Sequence, residues 1–191
     1  MTSERRNMWL AIAVVAAAQI AVLAWMVWDR VQLLSTGREI VLEVVPVDPR
    51  DLFRGDYVIL SYDISRVRIP LIKNRLNVGS VVFATLQKAK DGKWKFYAAG
   101  PERPESVSSD QVVLKGRVRY ASISSRQGSG FPTVLNYGIE SFFVPEGRGR
   151  ELEKLIGKKK LAALIAVDKS GNAAIKGLIV DGERIYEEPL F

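Results

Sequence analysis

The sequence predicts a mainly β domain, an antiparallel barrel or sandwich with one short helix, carried on a single N-terminal transmembrane helix. Three observations predict it. One uninterrupted apolar run stands near the N-terminus. The rest of the chain falls into short runs rich in β-branched residues, several with period-two alternation. Glycine-containing turn signals separate neighbouring runs.

The apolar run, residues 8–28 (MWLAIAVVAAAQIAVLAWMVW), is 21 residues long and interrupted only by Gln19. As a helix it extends roughly 31 Å, the hydrocarbon thickness of a bilayer. Trp9 marks its near end and Trp25 and Trp28 its far end, where indole rings favour the interface. Ala16-Ala17-Ala18 offers a signal-peptidase site as the rival reading, but cutting there leaves ten membrane-grade residues behind, which favours an uncleaved anchor. Arg5 and Arg6, opposed by Glu4, outweigh Asp29 with Arg30, so the N-terminus is expected in the cytoplasm. The organisation expected is therefore a cytoplasmic 1–7, a transmembrane 8–28, a connector 29–37, and an exported β-rich domain at 38–191. The location is an inner membrane, with the domain periplasmic or extracellular.

The chain has no Cys and no His, which removes thiol nucleophiles, disulfide frameworks, His general bases and the usual Cys/His zinc sites. Chemistry would have to run on carboxylates, Lys, Ser, Thr or Tyr. The 28 basic against 21 acidic residues give a net charge of +7. A modest excess of this kind serves solubility, and the expected location disfavours nucleic acid as a partner.

Residues 38–47 (REIVLEVVPV) form the first strand, brought to a turn at Asp48-Pro49-Arg50-Asp51. Gly55 opens the next strand, 56–64. Its alternation turns Val58, Leu60, Tyr62 and Ile64 inward and Tyr57, Ile59, Ser61 and Asp63 outward. Residues 81–87 and 94–98 flank Asp91-Gly92 as a hairpin, and 112–120 alternates again. Ser, Gly and Pro make 122–132 a loop; 137–144 (YGIESFFV) is a strand; and 151–156 places Leu152, Leu155 and Ile156 on one face of a short helix. Residues 161–167 and 173–180 flank a second hairpin turn, followed by Asp181-Gly182 and a last strand at Ile185-Tyr186. Tyr57 precedes Gly92 by 35 positions and Tyr137 precedes Gly171 by 34. A tandem pseudo-repeat and two ordinary β-rich stretches both fit this spacing.

Gly55 to Tyr62 reads GDYVILSY, every fixed position of Gly-Asp-Tyr-x-x-Leu-x-Tyr. With its lead-in, VVPVDPRDLFRGDYVILSYDI, and with YGIESFFVPEGRG and AVDKSGNAAIKGLIVDG further on, the chain resembles the bacterial GDYXXLXY family over roughly 38–182. The resemblance implies no activity, because the family is named for its motif. Related domains fused to, or encoded near, multi-helix membrane proteins imply a membrane-associated partner.

Leu60 and Tyr62 belong to the expected core, and Gly55 serves backbone geometry. Asp48, Asp51 and Asp56 crowd one nine-residue stretch with Arg50 and Arg54. A turn-capping ion-pair network accounts for them, and the ligand order of a calcium loop is missing, so no metal or cofactor is expected. Glu140 and Glu146 offer carboxylates for acid–base work on a sugar, at a separation the sequence does not fix. Ser124, Ser125, Ser129 and Lys115 supply a Ser/Lys pair without a nucleophile motif. The contact candidates are Tyr57, Asp56 and Glu146 first, with Tyr137 and Glu140 beside them. The expectation is a non-catalytic accessory protein, seated in the lipid bilayer, that docks a multi-helix membrane partner. The alternative is a carboxylate- or metal-dependent enzyme acting on envelope glycan or lipid.

Overall fold

The computed structural model describes residues 2–45, 57–69, 77–122, 130–143, 155–156 and 161–187. Helix α1 (Thr2–Thr36) is long and apolar enough to cross a membrane, and its apolar window is unburied. The connector expected at 29–37 is helical as far as Thr36. Ser35 and Thr36 donate their hydroxyls back to the carbonyls of Val31 and Gln32, and Leu34 is buried against the β domain. Gly37 then turns the chain into β1 (Arg38–Val45). A side chain there would collide with the Leu33 carbonyl and crowd Ala166, so the junction between helix and domain is tight.

Every strand pair among the described residues is antiparallel. Strands β2 (Tyr57–Ile59) and β3 (Ser61–Tyr62) lead through a 3-10 turn (Asp63–Ser65) into β4 (Arg66–Ile69). Then come the hairpin β5 (Val81–Lys88) and β6 (Trp94–Gly100), the long β7 (Gln111–Ala121), β8 (Phe131–Asn136) and β9 (Ser141–Phe143). The hairpin β10 (Leu161–Val167) and β11 (Ala173–Val180), with β12 (Glu183–Glu187), completes the domain. One five-stranded sheet has the order β12-β11-β10-β1-β3 and another β4-β8-β7-β5-β6, with β2-β9 as a two-stranded ribbon. Together they wrap one hydrophobic core as a nearly closed barrel.

Two expectations change. The strand expected at 137–144 begins only at Ser141: β8 runs from Phe131, inside the expected loop, to Asn136, and Gly138 (φ +81°) breaks the chain before β9. The strand expected at 56–64 is likewise interrupted at Leu60 and ends in the 3-10 turn. Of the helix expected at 151–156, Leu155 and Ile156 are helical and the remainder lies outside the described residues.

The pairing registers disclose a pseudo-repeat. In the ribbon Tyr57 lies opposite Phe143, Val58 opposite Phe142 and Ile59 opposite Ser141. In the larger sheet Pro132 lies opposite Arg68, Thr133 opposite Val67 and Val134 opposite Arg66. Advancing 57–59 and 66–68 by 75 residues converts one set of pairs into the other. The hairpins follow the same rule: β1 pairs with β10, the first strand of the second hairpin, and β7 with β5, the first strand of the first. Each repeat thus lends its hairpin to the sheet of the other. The equivalence aligns Tyr62, not Tyr57, with Tyr137, five residues from the alignment that turn spacing suggests.

Candidate functional site

Tyr62 and Tyr137 occupy equivalent positions of the two repeats. The Tyr62 hydroxyl donates to the Ile139 carbonyl at 2.8 Å, and the Tyr137 hydroxyl donates to the Ile64 carbonyl at 2.9 Å. Each tyrosine reaches the carbonyl two residues beyond the other. Burial pushes both phenols well above their ordinary range, and the neighbouring Glu140 carboxylate adds to the shift. Glu140 accepts the backbone N–H of Tyr137 at 2.6 Å and of Gly138 at 2.9 Å, holding the turn between β8 and β9. Its main-chain carbonyl accepts from Leu60 N–H. These groups are spent on structure: a carboxylate closing a turn and two neutral phenols locking two loops together.

The sequence candidates therefore separate. Leu60, Tyr62, Tyr137 and Glu140 are brought together in and around the core. Asp48, Asp51, Arg54, Gly55, Asp56 and Glu146 lie outside the described residues, as do Ser124, Ser125 and Ser129. Tyr57 is placed by its backbone at the first position of β2, directly opposite Phe143. Among the described residues no cluster of three or more Asp or Glu side chains could hold a metal ion.

Phe143 is the residue that sequence reasoning passed over. Its side chain is 80% exposed, and Ile59, on the same outward face of the ribbon, is 40% exposed, while Val58 and Phe142 between them are buried. Diagonal neighbours on one face of an antiparallel pair stand about 7–8 Å apart, so Phe143 and Ile59 form one outward patch. The equivalent positions of the other repeat hold Pro132, Arg68 and Val134, with Arg66 in place of Ser141. Arg66 and Arg68 are exposed. The same backbone accepts arginine there, so the barrel does not require an aromatic ring at 143. Period-two alternation through YGIESFFV could have singled it out, because Phe142 and Phe143 cannot both face inward.

The repeat also divides the motif. In register with Gly55 to Tyr62, residues 130–137 read GFPTVLNY. The glycine, leucine and final tyrosine recur, as does the isoleucine two places later, whereas Asp56 and Tyr57 give way to Phe131 and Pro132. Of what both copies keep, Leu60 and Leu135, Tyr62 and Tyr137, and Ile64 and Ile139 are buried in the barrel core.

No curated protein and no solved structure matches this chain. The family model described as "GDYXXLXY protein" matches residues 19–178, from the second half of α1 through both repeats. The chain belongs to the GDYXXLXY family, whose function is uncharacterised.

Proposed function

We propose that this is a single-pass, membrane-anchored, non-catalytic accessory protein of the bacterial envelope. Its β domain, on the non-cytoplasmic side of the inner membrane, docks a multi-helix membrane protein through the outward face of the β2–β9 ribbon. The observation that carries this reading is Phe143, exposed beside Ile59 and the Tyr57 position where the equivalent strand pair carries Arg68 and Arg66. Isolated exposed apolar residues are ordinary, but an exposed aromatic ring paired in register with the family motif, where the internal copy carries arginine, suits an interface. Supporting it, α1 supplies an unburied apolar span, and Arg5 and Arg6 favour an N-terminus in the cytoplasm. The ribbon lies off the end of β1 remote from α1, roughly 20 Å along the strand. It is thus offered to a protein rather than to the surrounding lipid.

The test is affinity purification from native membranes in mild detergent, comparing the natural chain with Phe143→Arg. A stoichiometric multi-helix protein should accompany the natural chain and fall at least tenfold with the variant, while the thermal unfolding midpoint stays within about 2 °C. Recovery of the same partner with both chains would remove the ribbon from the interface. Recovery of both chains alone from several detergents would end the accessory reading.

A further inference from the structure

A second site lies at the other end of the molecule, where α1 meets the barrel. A cleft of about 740 Å³ opens between the last two turns of the helix, the start of β7 and the β10–β11 turn. That volume suits a small polar ligand. Asp29, Gln32, Leu33 and Thr36 form its helical wall, at the i, i+3, i+4, i+7 spacing of a single face. This wall begins immediately after Trp28, at the end of the apolar run, and extends about 12 Å beyond it. The headgroup layer on each side of a bilayer is roughly 5–8 Å deep. The cleft therefore starts at the hydrocarbon boundary and passes through the headgroups, whichever way the chain is inserted.

Its polar groups are of two kinds. Arg38 is held in place: the guanidinium donates to the Gln111 carbonyl at 2.6 Å and to the Ser109 carbonyl, and lies 5.2 Å from the centre of the Trp94 ring. Both carboxylate oxygens of Asp168 are likewise engaged, with the amides of Ser170 and Asn172 and the Asn172 side chain. Arg103 and Lys169 line the same cleft, are exposed, and make no ion pair among the described residues. Asp29 stands on the membrane side of the cleft. Two cations with no ion pair among the described residues, walled by Leu33, Val107 and Val112, fit an amphiphile with an anionic phosphate.

We infer that this cleft seats the headgroup of a membrane phospholipid. Arg103 and Lys169 take the phosphodiester of an anionic lipid. The inference rests on the membrane-anchor reading above. Phosphatidylglycerol, whose phosphate leaves the lipid with a net negative charge, satisfies the site. Phosphatidylcholine carries the phosphate beside its own ammonium, which competes with the two cations.

The experiment uses the full chain in detergent supplemented with equal phosphatidylglycerol and phosphatidylcholine, with bound lipid read by native mass spectrometry. Phosphatidylglycerol should be retained preferentially. Arg103→Gln and Lys169→Gln should each lower its retention about fivefold, with thermal unfolding unchanged because both side chains are exposed. Equal retention of the two lipids, undiminished retention in the double variant, or displacement by inorganic phosphate would overturn the proposal. Flotation with phosphatidylcholine vesicles keeps the two readings apart. Variants that float but lose the bound lipid support the site, whereas a natural chain that does not float defeats the anchor itself.

Discussion

The two repeats solve the same folding problem with different residues, and their differences are more informative than their likeness. In the first, Tyr62 stands opposite Val44. In the second, extending the β7–β8 register by one step puts Tyr137 opposite Gly116, where an added Cβ would lie 3.0 Å from the ring. The first closes its loop with a 3-10 turn and a buried Ser65 whose hydroxyl has no hydrogen bond among the described residues. The second uses Gly138 and the Glu140 carboxylate at the equivalent place. The second hairpin is covered by β12 along β11, whereas β6 is paired to β5 alone. Barrel closure tolerates all these substitutions. The tyrosine exchange is common to both halves.

The sharpest way to break the comparison is to remove one tyrosine from each half. Tyr62→Ala and Tyr137→Ala should each cost about 3–5 kcal/mol in urea-induced unfolding, the usual penalty for emptying a buried aromatic site. Tyr62→Phe and Tyr137→Phe should cost about 1–3 kcal/mol each, because each leaves a buried carbonyl without its donor. Similar losses from the two halves would establish a true structural equivalence. Losses differing by more than about 2 kcal/mol would show that one tyrosine carries the lock alone.

Alkaline titration tests the same lock without substitution. The unfolded chain releases its phenolic protons near pH 10. Burial holds the folded values of Tyr62 and Tyr137 higher, so above pH 10 the folded state keeps protons that the unfolded state gives up. Stability should therefore fall as pH rises, by up to about 2.7 kcal/mol per pH unit for the two together, with no such contribution below pH 10. Tyr62→Phe should remove about half of that slope. An unchanged slope in the variant would mean that the alkaline loss comes from other groups.

Much of this architecture is legible in the sequence, for reasons that can be named. Alternation in YVILSYDI places Val58, Leu60, Tyr62 and Ile64 inside, and the structure buries all four. Asp91-Gly92 and Ser170-Gly171 mark both hairpin turns because a positive φ is needed there. The exchange of hairpins is not legible, since β1 and β10 pair residues 119–129 positions apart and such partners leave no local trace. Nor is the repeat register. Turn-to-tyrosine spacing selects Tyr57, but the connection from Tyr62 to Gly92 is four residues shorter than that from Tyr137 to Gly171, so equal spacing misleads. Of the candidate contact surface, Tyr57 and Ile59 could be read from alternation. Phe143 could not be paired with them until the ribbon register was known.

The smallest effect separates the two hairpin turns. Gly92 and Gly171 have φ of +81° and +88°, so an alanine at either pays for a left-handed backbone, about 1 kcal/mol. Their surroundings differ. Around Gly92 an added Cβ meets nothing within 4 Å, whereas at Gly171 it would stand 3.1 Å from Lys115 N and 3.2 Å from the Val113 carbonyl. That crowding exists because the Gly171 carbonyl accepts the Lys115 N–H at 2.7 Å, seating the second turn directly on β7. The first turn reaches β1 by an exposed Lys93–Glu43 ion pair, leaving a cleft of about 400 Å³ between them. Gly92→Ala should thus cost about 1 kcal/mol and Gly171→Ala about 2 kcal/mol or more, since backbone contacts cannot give way as a flexible side chain can. Denaturant midpoints of the two variants measured side by side decide it. Equal costs would mean that the second turn gives way as readily as the first, and that the seating on β7 adds nothing to the closure of the barrel.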